Sequence, residues 1–72
     1  MKLGLGDTRY ICVKSAYRDG KYAGLLTLTG HAWGYQVQLH WNDTPGYPVD
    51  ETFQSETKAK AYFDKVYKEV RK

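Results

Sequence analysis

The chain has 72 residues, a formal net charge of +3 and a single cysteine, Cys12. A chain of this length forms one domain and buries only about 60% of the surface that its unfolded form exposes, which disfavours the deep two-walled cleft of a typical enzyme. One cysteine excludes an internal disulfide framework, and no stretch approaches transmembrane length. The sequence therefore predicts a cytoplasmic, intracellular protein with no membrane segment.

Residues 1–8 are predicted to be a loose lead-in, and residues 9–41 a three-stranded sheet. Residues 10–17 have the β-branched and aromatic composition of a strand, and the Asp19-Gly20 pair that follows predicts a two-residue hairpin because both turn positions need positive φ. Such a loop also predicts the register. The expected facing pairs on one side of the sheet are Tyr17 and Tyr22, Ser15 and Gly24, Val13 and Leu26, and Ile11 and Leu28.

The third strand shows the clearest alternation in the chain. Tyr35, Val37, Leu39 and Trp41 point to one side and Gln36, Gln38 and His40 to the other, as in a strand with one buried face. Residues 42–54 contain both prolines and are predicted to be a Pro/Gly loop, because proline cannot donate a hydrogen bond to a central strand.

Residues 55–72 predict an amphipathic helix. Ser55 is the expected N-cap, with Thr52 as the competing cap. The apolar positions recur at offsets of three and four along one side: Ala59, Tyr62, Phe63, Val66, Tyr67 and Val70. The fold class is therefore α+β, a three-stranded antiparallel β-meander packed on one C-terminal amphipathic α-helix in the order β-β-β-α.

One side of this sheet has no helix to cover it, and we call it the uncovered face. Its predicted binding residues are Tyr10, Lys14, Leu25, Thr27, Gln36, Gln38 and His40, with Cys12, Ala16, Ala23 and Thr29 beside them. This mixture of apolar, amide and cationic side chains, with no acidic residue, is typical of a surface for a macromolecular partner. Loop residues form a second candidate surface: Arg18, Lys21, Trp33 and Tyr47. For Trp33, closing one end of the core is an equal alternative.

The sequence offers no set of residues for catalysis. His31 and His40 have no Cys or carboxylate at a recognisable metal-ligand spacing, and Cys12 lies in the middle of a strand with no histidine placed beside it. The sequence therefore predicts that the protein is not an enzyme and that it binds neither a metal nor a cofactor.

The start of the helix resembles a known signature. Thr52-Phe53-Gln54-Ser55, Lys58-Ala59 and Ala61-Tyr62-Phe63-Asp64 are similar to the motif of AP2/ERF domains, whose architecture the arm-type DNA-binding domains of integrases share. The resemblance implies a β-β-β-α fold that places its sheet in the DNA major groove. Those families use several Arg and Trp residues on the exposed sheet, whereas Lys14 is the only firm cation expected there. The layout is also similar to small phage-encoded inhibitors of host defence systems.

Two functions follow. The favoured one is a non-catalytic module, an inhibitor or adaptor of phage type, that binds a protein partner through the uncovered face and aromatic loops. The alternative is a DNA-binding domain that reads the major groove with the sheet, where Gln36 and Gln38 contact bases. Homodimerisation through the uncovered face or through exposed edge strands is a variant of the first.

Overall fold

A computed structural model describes residues 8–71 of the chain, so most of the predicted lead-in and Lys72 lie outside the described residues. The elements are β1 (Thr8–Arg18), β2 (Lys21–His31), β3 (Gly34–Trp41), β4 (Val49–Phe53) and α1 (Glu56–Val70). The strands form one antiparallel sheet in the order β1-β2-β3-β4. The α+β class and the C-terminal helix are confirmed, whereas the prediction of three strands is wrong.

The fourth strand lies inside the predicted Pro/Gly loop. β4 follows Pro48 directly and pairs with β3, with Val49 opposite Leu39 and Phe53 opposite Tyr35. Both prolines precede the strand, so neither removes a hydrogen bond from its ladder. The pattern was inconspicuous because β4 has only five residues, and Glu51 interrupts the alternation of the apolar residues Val49 and Phe53.

The first hairpin forms at the predicted turn. Asp19 and Gly20 both have positive φ, 55° and 79°, as a type I′ turn requires. Tyr17 lies opposite Tyr22, and their rings meet edge to face with centroids 6.4 Å apart. The hairpin and its first facing pair are therefore confirmed.

From Ala16 to Cys12 the predicted register is wrong, and it returns at Tyr10, which lies opposite Thr29. Ala16 lies opposite Gly24, so Ala23 has no partner on β1, and farther along Ile11 has none on β2. Each extra residue shifts the pairing by one, and a shift of one moves a side chain to the other side of the sheet. Three residues predicted for the uncovered face therefore lie on the helix side: Cys12, Lys14 and Ala16. Val13, predicted for the core, is 49% exposed.

The helix begins at the predicted cap. The Ser55 hydroxyl accepts a hydrogen bond from the backbone N–H of Lys58 at 3.3 Å, which satisfies one of the free donors of the first turn. On the solvent side, Lys60 Nζ donates a hydrogen bond to the Glu56 carboxylate at 3.1 Å and forms an ion pair with it. The hydrogen bond to Glu56 and the negative charge of Glu56 raise the pKa of Lys60. The start of the helix is therefore stabilised by contacts within its own sequence.

The core lies between the helix and one side of the sheet. Leu26, Leu28 and Val37 are fully buried, and Phe63 and Val66 pack on them from the helix. These positions alternate with those of the uncovered face along β2 and β3, so burying one set exposes the other to solvent. Within residues 8–71, no helix is long and apolar enough to span a membrane.

Candidate functional site

The uncovered face carries an open groove of about 250 Å³. Its lining residues come from β1, β2, β3 and the β3–β4 loop: Thr8, Tyr10, Leu25, Thr27, Thr29, His31, Gln36, Gln38, His40 and Tyr47. The strand alternation that directs Leu26, Leu28, Val37 and Leu39 into the core directs the groove residues away from it. The core pattern of the two central strands therefore positions the floor of the groove.

The groove runs along the strands. Leu25 lies opposite His40 at one end, and His31 closes β2 at the other. The six-residue step from Leu25 to His31 spans about 20 Å at about 3.3 Å per residue. The site is therefore elongated and parallel to β2 and β3.

At one end, hydroxyl groups hold the His31 ring. Its Nε2 lies 2.8 Å from the hydroxyl of Thr29, and its Nδ1 lies 3.3 Å from that of Thr8. The Thr29 hydroxyl itself donates to the carbonyl oxygen of Gln36 at 3.4 Å, so its lone pair is free to accept from His31. This arrangement favours a proton on Nε2 of His31 and explains how Thr29 is tolerated at 4% exposure.

Trp33 extends this end of the site. Its ring stacks on His31 with centroids 4.4 Å apart and planes 8° apart, and it remains 49% exposed. Gln54 Nε2 donates to the Trp33 carbonyl oxygen at 3.3 Å, which ties the β2–β3 turn to the segment before α1. Of the two alternatives for Trp33, the structure therefore supports an exposed aromatic surface over closure of the core.

The other end is bounded by the β3–β4 loop. His40 Nδ1 lies 3.0 Å from the carbonyl oxygen of Gly46, and the His40 and Tyr47 rings are 5.5 Å apart. Tyr47 is 55% exposed. Gly46 has a φ of 87°, a conformation that glycine adopts without strain and that directs the loop back over β3. The loop residue Tyr47 and the strand residue His40 therefore belong to one surface.

An acidic residue borders the groove, contrary to the prediction. Asp50 Oδ1 accepts a hydrogen bond from Gln36 Nε2 at 2.7 Å, which places this β4 carboxylate beside the β3 amides. The prediction of a face without acidic residues failed because it did not include β4. Gln38 lies directly opposite Asp50. Among residues 8–71, the Gln38 side chain makes no hydrogen bond to another protein group.

The predicted cations do not reach the groove. Lys14 lies on the helix side, where its Nζ is 5.7 Å from the centroid of the Tyr67 ring. The Arg18 guanidinium stacks over the Trp41 ring at 4.3 Å and forms an ion pair with Asp43 at 3.3 Å. Lys21 lies opposite Arg18 in the sheet, at the hairpin end. Within the described part of the chain, no Lys or Arg lines the groove.

The predicted site residues divide accordingly. The groove brings together Tyr10, Leu25, Thr27, Gln36, Gln38, His40 and Tyr47, whereas Lys14, Arg18 and Lys21 lie away from it and Trp33 adjoins it through His31. Sequence reasoning missed Thr8, His31 and Asp50 as neighbours of this site. For His31 a signal existed, because it continues the alternation of Leu25, Thr27 and Thr29. For Asp50 none did, because its position depends on the pairing of β4.

Residues 8–71 contain no group of three or more His, Cys, Asp and Glu side chains placed to hold a metal ion. The described part of the groove supplies hydroxyl, amide, imidazole and phenol groups, which suit hydrogen bonding and stacking.

No protein-family model matches this chain, and comparison with curated proteins and with solved structures finds no significant similarity. The resemblance to AP2/ERF and integrase-arm domains stays a prediction.

Proposed function

We propose that this protein is a small non-catalytic module that binds a protein partner through the uncovered face. The observation that carries the proposal is the composition of the groove, which combines exposed apolar and aromatic groups with amides and has no Lys or Arg within the described residues. Tyr10 is 70% exposed and Leu25 38%, and both stand on the groove. Aromatic enrichment with few charges is typical of the centre of a protein–protein interface.

The size of the groove supports a macromolecular partner over a small molecule. Pockets that enclose a drug-sized ligand measure roughly 300–1,000 Å³. The groove measures about 250 Å³ over its full length and is open to solvent. Most of the surface of a small ligand would remain exposed to solvent in this groove. An interface that extends over the groove and its exposed aromatic rim would bury more area.

The DNA-binding alternative rested on the family resemblance and had Lys14 as its only firm cation on the uncovered face. That side chain lies on the helix side near Tyr67. Neutralising phosphates with Lys and Arg supplies most of the non-specific affinity for DNA. Gln36 and Gln38 remain suited to reading adenine, but Asp50 beside them would repel the backbone.

The proposal is tested by site-specific photo-crosslinking in cells of the source organism. A photoreactive phenylalanine analogue replaces Tyr10 on the groove in one variant and Lys65 on the exposed side of α1 in a matched control. We expect a discrete protein adduct from position 10 and none from position 65. An adduct of twice the chain's own mass would identify the partner as a second copy.

The specificity of that adduct is tested by Leu25→Asp in the position-10 variant. Leu25 is partly exposed, so the substitution leaves the core intact while it places a charge on the groove floor. We expect loss of the adduct with an unchanged circular dichroism spectrum. Absence of any adduct from position 10, or equal adducts from both positions, would overturn the proposal.

A further inference from the structure

We propose that the groove receives an extended segment of the partner protein, with its backbone bound by Gln36 and Gln38 and a basic side chain beside Asp50. This inference rests on the proposed function and states the form and charge of the partner. Three features of the groove support it: the spacing of the two amides, their free hydrogen-bonding groups and the charge of Asp50 beside them.

The spacing of the two amides matches that of an extended chain. Gln36 and Gln38 are two residues apart on β3 and project to the same side, which separates them by about 6.6 Å. In an extended peptide, the N–H and C=O groups that point to one side recur at the same two-residue interval. A segment parallel to β3 therefore presents successive peptide groups to successive glutamines, and no helix has that repeat.

The side chains of both glutamines have hydrogen-bonding groups that are free to bind a ligand. The Gln38 side chain makes no hydrogen bond to another protein group within residues 8–71, so its amide carbonyl and amino groups are both available. Gln36 uses one amino hydrogen on Asp50 and keeps its carbonyl oxygen and second hydrogen. The neighbouring hydroxyls of Thr27 and Thr29 donate to the backbone carbonyls of the same two residues, which holds the floor beneath the amides. Each glutamine can therefore donate to and accept from one peptide group.

The charge of the groove selects the type of side chain that the partner segment presents to it. Asp50 is exposed and takes part in no ion pair among the described residues, and no Lys or Arg lines the groove there. A carboxylate beside two neutral amides attracts a Lys or Arg of the partner and repels Asp or Glu. At the His40 end, partly exposed Leu25 favours an apolar side chain.

The length of the groove sets the length of the segment. About 20 Å corresponds to roughly six residues of extended chain. The expected ligand is therefore a segment of about six residues with one basic position near its middle and an apolar position toward the His40 end.

The test is a selection of random eight-residue peptides displayed on phage against the immobilised full chain. Wild type is compared with Asp50→Lys and with a matched control, Asp64→Lys, whose carboxylate lies on the exposed side of α1. We expect wild type and Asp64→Lys to enrich peptides with Lys or Arg at one position, and Asp50→Lys to enrich Asp or Glu there. Enrichment with the same charge preference in all three proteins would overturn the inference.

The backbone contacts are tested on the best peptide. Gln38→Ala is expected to weaken its affinity roughly three- to tenfold, the range of one or two hydrogen bonds, and Thr57→Ala, on the exposed side of α1, to leave it unchanged. Methylation of the peptide nitrogens, one at a time, is expected to reduce binding at alternate positions only. A helical bound peptide, seen by nuclear magnetic resonance, would overturn the inference.

The two proposals fail in different ways. A position-10 crosslink to a folded protein, together with no enrichment of any peptide, overturns the extended-segment inference and leaves the protein-binding proposal standing. Absence of both the crosslink and the peptides overturns both.

Discussion

Gly24 on β2 lies so close to the backbone of His40 on β3 that a Cβ at position 24 would overlap the His40 carbonyl oxygen. Backbone atoms inside a sheet cannot move aside as the end of a flexible side chain can. The central strands therefore pair closely at the end of the groove where His40 and Leu25 meet, and this approach depends on glycine.

We therefore expect Gly24→Ala to lower the free energy of unfolding by about 2–4 kcal/mol, the range of severe overpacking. Gly30→Ala is the matched control in the same strand, because the atoms nearest to a Cβ there are the ends of the Arg9 and Ile11 side chains, which can move aside. We expect Gly30→Ala to lower the free energy of unfolding by less than about 1 kcal/mol. Urea denaturation of both variants measures the difference, and equal costs would contradict the close approach.

The shifted register predicts unequal costs of a charged substitution at two β1 positions, Val13 and Ala16. Val13 is 49% exposed, whereas Ala16 is fully buried against the helix. Val13→Asp should change the free energy of unfolding by less than about 1 kcal/mol, and Ala16→Asp should cost more than about 3 kcal/mol because it buries an unpaired charge. Thermal denaturation checks the pair. The reverse order would restore the register predicted from the hairpin loop alone.

The Ser55 cap predicts a local loss of helix stability. Ser55→Ala removes the acceptor for the Lys58 N–H and should cost about 1 kcal/mol. Thr57→Ala, two residues later in the exposed first turn, should be neutral or slightly stabilising because alanine has the higher helix propensity. Chemical denaturation followed at 222 nm compares the two. Equal effects would assign the loss to the first turn in general.

Arg18 is expected to act more through Trp41 than through Asp43. The guanidinium stacks on the Trp41 ring at 4.3 Å, while its ion pair with Asp43 is exposed to solvent. Arg18→Ala should therefore cost about 1 kcal/mol, and Asp43→Asn less than about 0.5 kcal/mol, since exposed ion pairs contribute little. Stability measured at low and high salt separates them. A large salt-dependent cost for Asp43→Asn would contradict this assignment.

Lys14 is expected to make no specific contribution to binding of duplex DNA. Its ammonium lies over the Tyr67 ring on the helix side of the sheet. In fluorescence anisotropy with a labelled random duplex, Lys14→Ala and the helix control Lys65→Ala should have equal effects at low salt, and binding should vanish at physiological salt. Binding that persists at physiological salt and is lost only in Lys14→Ala would revive the DNA-binding alternative.

Local sequence signals predicted much of the site. The alternation along β3 placed Gln36, Gln38 and His40 on one side, and the Asp19-Gly20 turn placed Tyr17 opposite Tyr22. Tyr10 returned to the predicted side only because the two bulges on the first strand pair cancel. Lys14 lies between the two bulges and is therefore on the helix side of the sheet. The uncovered face thus lacks the cation that was expected there.

The sequence by itself determined the helix from its Ser55 cap, the first hairpin and the alternating sides of β2 and β3. These depend on hydrogen bonds and periodicities within a few residues of each other. Only the tertiary structure decided the bulges at Ile11 and Ala23, the pairing of β4 and the position of Asp50 beside Gln36. Those features depend on which strand edge meets which, and a bulge or a five-residue edge strand is stabilised by neighbours distant in sequence.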